Sequence, residues 1–458
     1  MIAKKSYYIL GLEKSGLASA QYLLQKGETQ LSAWDDQEKA RENLQKRFPE
    51  ILIIAPAHYD WSKCKGLILA PGIPHTHPQP HPAVVLSREY AVPLFCDIEI
   101  FLQEGGHRDI LGITGTNGKT TTTMLLAHVL SKIGYVAHMA GNIGVPALSL
   151  PEKDITVLEL SSFQLELMHT PALKGFILLN ITPDHLVRHG GMSGYVRAKE
   201  AIFPLLKPTG IGIISVDDKY CESLYEKHKD TSSHIVPISI NKQIPGGFYI
   251  HEKIVWDTRG KSPKQCFRMP DLTGLGGNHN WQNILATYAL LKTLYNCEDT
   301  AFLNALFSFV GAPHRQELIL QEGSITCIND SKATNTTAAR QALQRFTNVL
   351  WLVGGQFKET KEDIEALRSC LGGVKKIYGF GAAGPLFKEV FSKDVPCEVY
   401  PSLEAATAEA IKEAKSCSSP SCVLLSPACA SFDAFKNFEA RGAYFKDLCH
   451  NLMREKIA

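Results

Sequence analysis

The stretch Gly112-Ile113-Thr114-Gly115-Thr116-Asn117-Gly118-Lys119-Thr120 has the residues to hold nucleotide phosphates. An apolar run feeds a glycine-rich turn that opens a helix-period segment. Backbone N–H groups and the helix N-terminus would then face the phosphate oxygens. Lys119 can reach the β/γ-phosphates, and the Thr120 or Thr121 hydroxyl can hold Mg²⁺. The strict pattern asks for glycine where this chain has Ile113, so a plain glycine-rich turn is the alternative. The strand–loop–helix context favours the phosphate loop.

Other residues at predicted strand exits could complete such a site. Glu159 ends the apolar run Thr156–Leu160, where it could ligate Mg²⁺ or pair with a cation. His185, in Thr182-Pro183-Asp184-His185, could bind metal, orient substrate or make a structural hydrogen bond. Lys199 sits in a helix-period segment, and periodicity alone makes it a solvated lysine. Towards the C-terminus, four polar clusters flank strand-like runs: His314–Glu317, Asn329–Asn335, Gly354–Lys358 and Ser426–Phe432. One lined pocket would explain them, and Arg315, Lys332 and Lys358 would suit an anion with several carboxylates or phosphates. Four ordinary solvated loops are the alternative.

The elements that must position these residues repeat one pattern. Short apolar runs alternate with helix-period segments, which predicts α/β units on parallel sheets. The pattern restarts three times. Tyr7–Leu10, Gln30–Trp34 and Gly66–Leu69 are strands of the first unit, with a helix over Leu17–Gln25 and a loop rich in Pro and His over Pro71–Pro82. The second opens at Asp109–Thr114 and includes Ile155–Leu160, Phe176–Asn180, Ile211–Ser215 and a helix over Trp281–Leu294. Its less regular stretch, residues 220–270, reads as an antiparallel edge. The third begins near Gly311-Ala312-Pro313, with strands over Ile325–Ile328, Val349–Val353, Lys376–Phe380 and Cys422–Leu425. The expected boundaries are 1–96, 97–311 and 312–458. The first turn, Gly11-Leu12-Glu13-Lys14-Ser15-Gly16, carries Glu13 where a dinucleotide fingerprint needs its middle glycine, so a pyrophosphate would be repelled and NAD is disfavoured.

Composition narrows the function classes. The chain has 458 residues, 45% hydrophobic and 21% charged, which excludes a disordered chain or a rod. Lys+Arg is 48 and Asp+Glu 46, a net charge of +2, so no global field recruits nucleic acid or a membrane surface. No run approaches the roughly 18 apolar residues of a membrane span. The N-terminal apolar run is too short for a signal-peptide core. Twelve scattered cysteines without a Cys-x-x-Cys pair read as reduced thiols of a cytoplasmic protein.

Taken together, the motifs resemble the Mur ligase family, and most closely its D-glutamate-adding members. The phosphate loop Gly115–Thr121 is the family's variant. More specific are Gly141-Asn142-Ile143-Gly144, Leu158-Glu159-Leu160-Ser161-Ser162-Phe163-Gln164, Asn329-Asp330-Ser331-Lys332-Ala333-Thr334-Asn335, and Leu425-Ser426-Pro427-Ala428-Cys429-Ala430-Ser431-Phe432-Asp433 with Phe435-Lys436-Asn437-Phe438. The resemblance runs from the first turn to the final helix, thinner over 37–95 and 217–270. It implies a Rossmann-like N-terminal domain, a central P-loop ATPase domain with a parallel sheet plus antiparallel edge, and a Rossmann-like C-terminal domain. It also implies an ATP- and Mg²⁺-dependent amide ligase of cytoplasmic peptidoglycan precursor synthesis, joining D-glutamate to UDP-N-acetylmuramoyl-L-alanine through an acyl phosphate. A monomer without nucleic-acid or membrane partners is expected.

The implied residue roles follow motif by motif. Gly115, Thr116, Asn117, Gly118, Lys119, Thr120 and Thr121 would hold ATP phosphates, with Asn283, Arg315 and Asp330 at the adenine and ribose end. Thr120, Glu159 and His185 would serve magnesium, and Lys199 matches the lysine that the family carbamylates into a metal ligand. Ser15, Asp35, Gly72 and Asn142, with Ser161 and Gln164, match the UDP-sugar side. Lys332, Thr334, Lys358, Ser431, Phe432 and Phe438 match the D-glutamate pocket. Glu13-Lys14, Asp36 and Gln356-Phe357 depart from the family pattern near the nucleotide and glutamate loops. Folylpolyglutamate synthetase shares the phosphate loop, but Ser426–Asp433 argues against it. A nucleotide switch would not need the cationic pocket of the third unit.

Overall fold

Runs such as Ile110–Thr114 and Val349–Gly354 are buried at every residue, as expected for parallel strands covered on both faces. The computed structural model describes residues 6–104, 109–151, 153–230, 234–270, 272, 278–311 and 313–454. Ala312, at the expected start of the third unit, lies outside the described residues.

The first sheet comprises β1 (Ser6–Leu10), β2 (Leu31–Trp34), β3 (Leu52–Ile53), β4 (Cys64–Leu69) and β5 (Leu94–Phe95), all parallel in the order β3-β2-β1-β4-β5. That is the Rossmann order, with the ligand crevice beyond the strand C-termini. The first helix, Lys14–Gln25, starts three residues earlier than expected. Gly16 permits this: a Cβ there would sit 1.9 Å from the Gly11 carbonyl oxygen, so no larger residue lets the helix enter so close to the turn.

The second sheet comprises β6 (Ile110–Thr114), β7 (Ala137–Gly141), β8 (Ile155–Glu159), β9 (Leu173–Leu178), β10 (Leu206–Ser215), β11 (His234–Ser239), β12 (Phe248–His251), β13 (Ile254–Asp257) and β14 (Lys264–Arg268). Their order is β14-β13-β12-β11-β10-β9-β6-β8-β7. The antiparallel edge is real but smaller than the expected 220–270. Residues Lys219–His228 form a helix, and β11 and β12 continue the parallel pairing. Only β13 runs against the rest, antiparallel to both its neighbours β12 and β14.

The third sheet comprises β15 (Glu317–Glu322), β16 (Ile325–Asn329), β17 (Val349–Gly354), β18 (Val374–Phe380), β19 (Cys397–Val399) and β20 (Ser421–Leu425), ordered β15-β16-β20-β17-β18-β19. All neighbours are parallel except β15 with β16. Along β17 the side chains alternate: Val349, Trp351 and Val353 pack on one face, Leu350 and Leu352 on the other. Trp351 is fully buried and its indole N–H donates to the Ser426 carbonyl at 2.8 Å. One residue thus supplies core volume and fixes the loop after β20.

The chain divides into two compact units, Met1–Pro270 with Asn278–Ser308, and Asp271–Gly277 with Phe309–Ala458. The first holds two sheets that share one apolar core, with Tyr8 and Leu10 in the same cluster as Leu158 and Phe176. The second holds the third sheet. Ten of the twelve cysteines are buried, which fits the reading as small apolar residues.

Candidate active site

In the first unit, the turn after β6 opens the helix Lys119–Lys132. Gly118 has φ +84°, and a Cβ there would meet Asn283 Oδ1 at 2.3 Å. Only glycine fits, and the fit brings Asn283 of the helix Asn278–Tyr295 against the loop. Lys119 Nζ donates to the Gly115 and Thr116 carbonyls, both at 2.8 Å, so the ammonium lies across the turn. Asn117 N–H donates to Asn180 Oδ1 at 2.8 Å. Thr116 Oγ1 lies 3.0 Å from the Tyr195 hydroxyl.

The neighbouring strands bring further residues to this edge. In β7 and β8, Gly141 pairs with Glu159, which places Asn142 Nδ2 2.8 Å from Glu159 Oε1. Glu159 is buried, and its Oε2 has no hydrogen-bond partner among the described residues. A buried carboxylate oxygen left unmatched beside a phosphate loop fits a divalent cation. Lys199 is 1% exposed, contrary to the solvated lysine that periodicity gives. Its Nζ donates to Thr114 Oγ1 at 3.0 Å and to the Gly115 carbonyl at 2.9 Å. Burial first, and the Lys119 charge second, push its amine well below the ordinary lysine range. His185 has φ +50° and a half-exposed ring 3.4 Å from Asp184 Oδ2.

A cleft of about 570 Å³ opens beside β1, β2 and β4, also in the first unit. Ser15, Asp35, Gly72, Asn142 and Gln164 all line it. Ser161 does not line it; its hydroxyl caps the short helix Ser162–Leu165 in a capping box with Gln164. Both Asp35 oxygens accept backbone N–H groups, from Leu12 at 2.7 Å and Gln37 at 2.9 Å, so this carboxylate shapes the wall itself. The departures Glu13, Lys14 and Asp36 line the same cleft.

In the second unit, the four polar clusters come together at one sheet edge. Asp330 Oδ2 accepts from Ser426 Oγ at 2.8 Å, and Oδ1 accepts from the Gln316 N–H at 3.1 Å. Burial pushes the Asp330 carboxyl up to about 7. The Lys332 N–H donates to the His314 carbonyl, and Gln356 bridges to Ala430. Lys358 Nζ lies 5.1 Å from the Phe432 ring centroid and Lys332 Nζ 5.6 Å from that of Phe438. Thr334 is exposed and Ser431 buried. Arg315 belongs to this unit, where its Nε has no hydrogen-bond partner among the described residues.

Two family models match the chain, the Mur ligase middle domain over residues 113–291 and the Mur ligase glutamate ligase domain over 314–429. A UDP-N-acetylmuramoylalanine--D-glutamate ligase of Rhodospirillum rubrum is 39% identical over 98% of this chain and 95% of its own length. The chain belongs to the Mur ligase family. The ligase of the same name from Bartonella henselae is 39% identical over 96% of both chains. Among solved structures, the UDP-N-acetylmuramate-alanine ligase of Thermotoga maritima superposes with TM-score 0.57 at 18% identity, covering 98% of this chain and 99% of that one. At that identity the likeness shows the three-domain Mur ligase fold alone.

Within this Mur ligase, the sequence reading missed several groups that the fold brings to the sites. Arg441, fully buried in the helix Phe438–Arg454, donates to the Ser331, Cys429 and Ala430 carbonyls and to the Ser331 hydroxyl, tying two of the polar loops together. Its position just after Phe435–Phe438 was the available signal. Asp97 lines the cleft with Oδ1 unpartnered among the described residues, and burial pushes its carboxyl up to about 6. Tyr195 and Lys199 share a helix face at i,i+4, which periodicity could have paired. No described helix is long and apolar enough to cross a membrane.

Proposed function

We propose that this Mur ligase joins D-glutamate to UDP-N-acetylmuramoyl-L-alanine, with cleavage of ATP to ADP and phosphate, in peptidoglycan precursor synthesis. The observation that carries the reading is near-full-length identity of 39% to ligases of that name, on a chain whose phosphate loop, Glu159 and Lys199 meet at one edge. Domains 1–96, 97–311 and 312–458 would serve the nucleotide sugar, ATP and D-glutamate.

The chemistry balances in two steps. The alanyl carboxylate of the nucleotide sugar attacks the ATP γ-phosphate, giving an acyl phosphate and ADP. The D-glutamate amine then attacks the acyl carbon, loses a proton, and phosphate leaves as the amide forms. The Lys119 ammonium and loop N–H groups offset charge on the transferring phosphoryl group. Glu159, His185, Thr120 and Lys199 would hold Mg²⁺, and the unmatched Glu159 Oε2 supports that fit. Bound there, Mg²⁺ would neutralise developing phosphate charge.

Lys199 suits that set only after a change of charge. Burial and the Lys119 charge favour the neutral amine over the ammonium. A neutral amine adds CO₂ and releases a proton, turning a cation into a carboxylate. In the second unit, Lys332 and Lys358 would bind the two carboxylates of D-glutamate, with the Phe438 and Phe432 rings beneath their ammonium groups. Gly72, Asn142 and Gln164 would face the nucleotide sugar, and Ser15 would present its hydroxyl from the first helix turn.

The test is phosphate release from ATP and Mg²⁺ with UDP-N-acetylmuramoyl-L-alanine plus D-glutamate, L-glutamate or neither. Release that needs both the nucleotide sugar and D-glutamate is expected. Release indifferent to the amino acid would defeat the reading.

A further inference from the structure

The turn that carries His185 is too short to hold itself in place. It spans only Leu186–His189, and an isolated helical turn is far below the length that is stable in water. Apolar packing does not hold it either, since Leu186 is 37% and Val187 75% exposed. The remaining anchors are its two polar residues and the loop that wraps it.

Arg188 supplies most of that anchoring. Its Nη2 donates to the Ile73 carbonyl at 3.1 Å and lies 3.1 Å from His75 Nδ1. Its guanidinium stacks 5.0 Å from the Phe163 ring centroid. The same ring lies 5.1 Å from the His185 imidazole and 5.4 Å from that of His189. His189 is fixed in turn, 3.1 Å from Glu166 Oε1 and 2.9 Å from Ser162 Oγ. At the far end of the turn, His77 lies over Gly190, where φ is +66° and an added Cβ would fall 2.7 Å from the His77 ring.

Ile73 lines the cleft, and the helix fixed by His189 carries Gln164, which lines it too. Arg188 therefore joins the cleft wall to the His185 turn through the shared Phe163 ring. We propose that Arg188 is a positioning residue that sets the His185 imidazole from the wall of the nucleotide-sugar cleft. The proposal rests on the role given to His185 above. The planar guanidinium lays its face on Phe163 while Nη2 alone reaches both Ile73 and His75. A lysine ammonium can donate to those acceptors but has no flat face to stack on the ring.

The experiment compares wild type with Arg188→Lys and the exposed-site control Val187→Ala. Steady-state phosphate release gives kcat and KM for ATP and for UDP-N-acetylmuramoyl-L-alanine. The His185 ring signal is read separately by NMR of ¹³C-histidine-labelled protein, assigned with His185→Gln. A displaced reacting group costs on the order of 10- to 100-fold in rate. Arg188→Lys is expected to lose about that much kcat, to keep both KM values within about threefold, and to move the His185 signal with no substrate present. Val187→Ala is expected to match wild type in all three. If Arg188→Lys does not fold, Gly190→Ala disturbs the other end of the clamp and is expected to lower kcat and move the same signal. An unmoved His185 signal or wild-type kcat in the folded variant overturns the proposal while the ligase reading stands. A wild-type enzyme without D-glutamate-dependent release overturns both.

Discussion

Replacing Lys199 by alanine separates folding from catalysis, for a reason visible in its hydrogen bonds. Thr114 Oγ1 still donates to the Leu160 carbonyl at 2.8 Å, and the Gly115 carbonyl still accepts from Lys119 at 2.8 Å. Removing the Lys199 amine therefore strands neither group. What remains is a cavity left by about three methylenes of the stem, at about 0.8 kcal/mol each, or ~2–3 kcal/mol in all. The amine was already disfavoured as a cation by burial, so its loss removes a desolvation cost as well. Urea unfolding of Lys199→Ala should show a loss of no more than ~3 kcal/mol. Activity should fall much further, by on the order of 10²–10³-fold, the usual cost of one electrostatic contact to a transition state. Formate or acetate at high concentration should restore part of it, since a small carboxylate can occupy the space of a carbamate. Folded Lys199→Ala that is fully active, or one that neither anion rescues, would refute the carbamate.

Two further outcomes follow from backbone and burial. Gly118→Ala forces alanine to φ +84° and a Cβ to 2.3 Å from Asn283 Oδ1. The left-handed conformation costs about 1–2 kcal/mol, and ATP affinity measured by calorimetry should fall at least about tenfold because Asn283 must move; unchanged affinity would show that this contact is not at the nucleotide. Asp97 has its carboxyl raised by burial from 3.8 to about 6. The unfolded chain loses that proton first, so stability falls as pH rises from about 4 to 6. Asp97→Asn should remove up to about 3 kcal/mol of that fall. Parallel urea-stability curves for the two proteins across that range would count against it.

Local chemistry was legible in the one-dimensional pattern. Continuous apolar runs gave the parallel strands, and glycine spacing gave the phosphate loop and the tight first turn. These features depend on backbone geometry and burial period, which neighbouring residues express. The pattern did not give Lys199 as a buried group, because its helix face is covered by β6 and the phosphate loop, distant in sequence. Only the family resemblance pointed there. Nor did it give Arg188, Asp97 or Arg441. Their roles come from partners 115, 113 and 110 residues apart or from a cleft wall. Residues 220–270 are less antiparallel than their pattern predicts, since alternation of apolar and polar side chains does not state which neighbour a strand will take. Periodicity and residue type specify the kinds of element and the chemical groups at their ends. Which ends meet, and which charges lose water, follows from packing, because strand order and burial are properties of contacts between segments that no single segment contains.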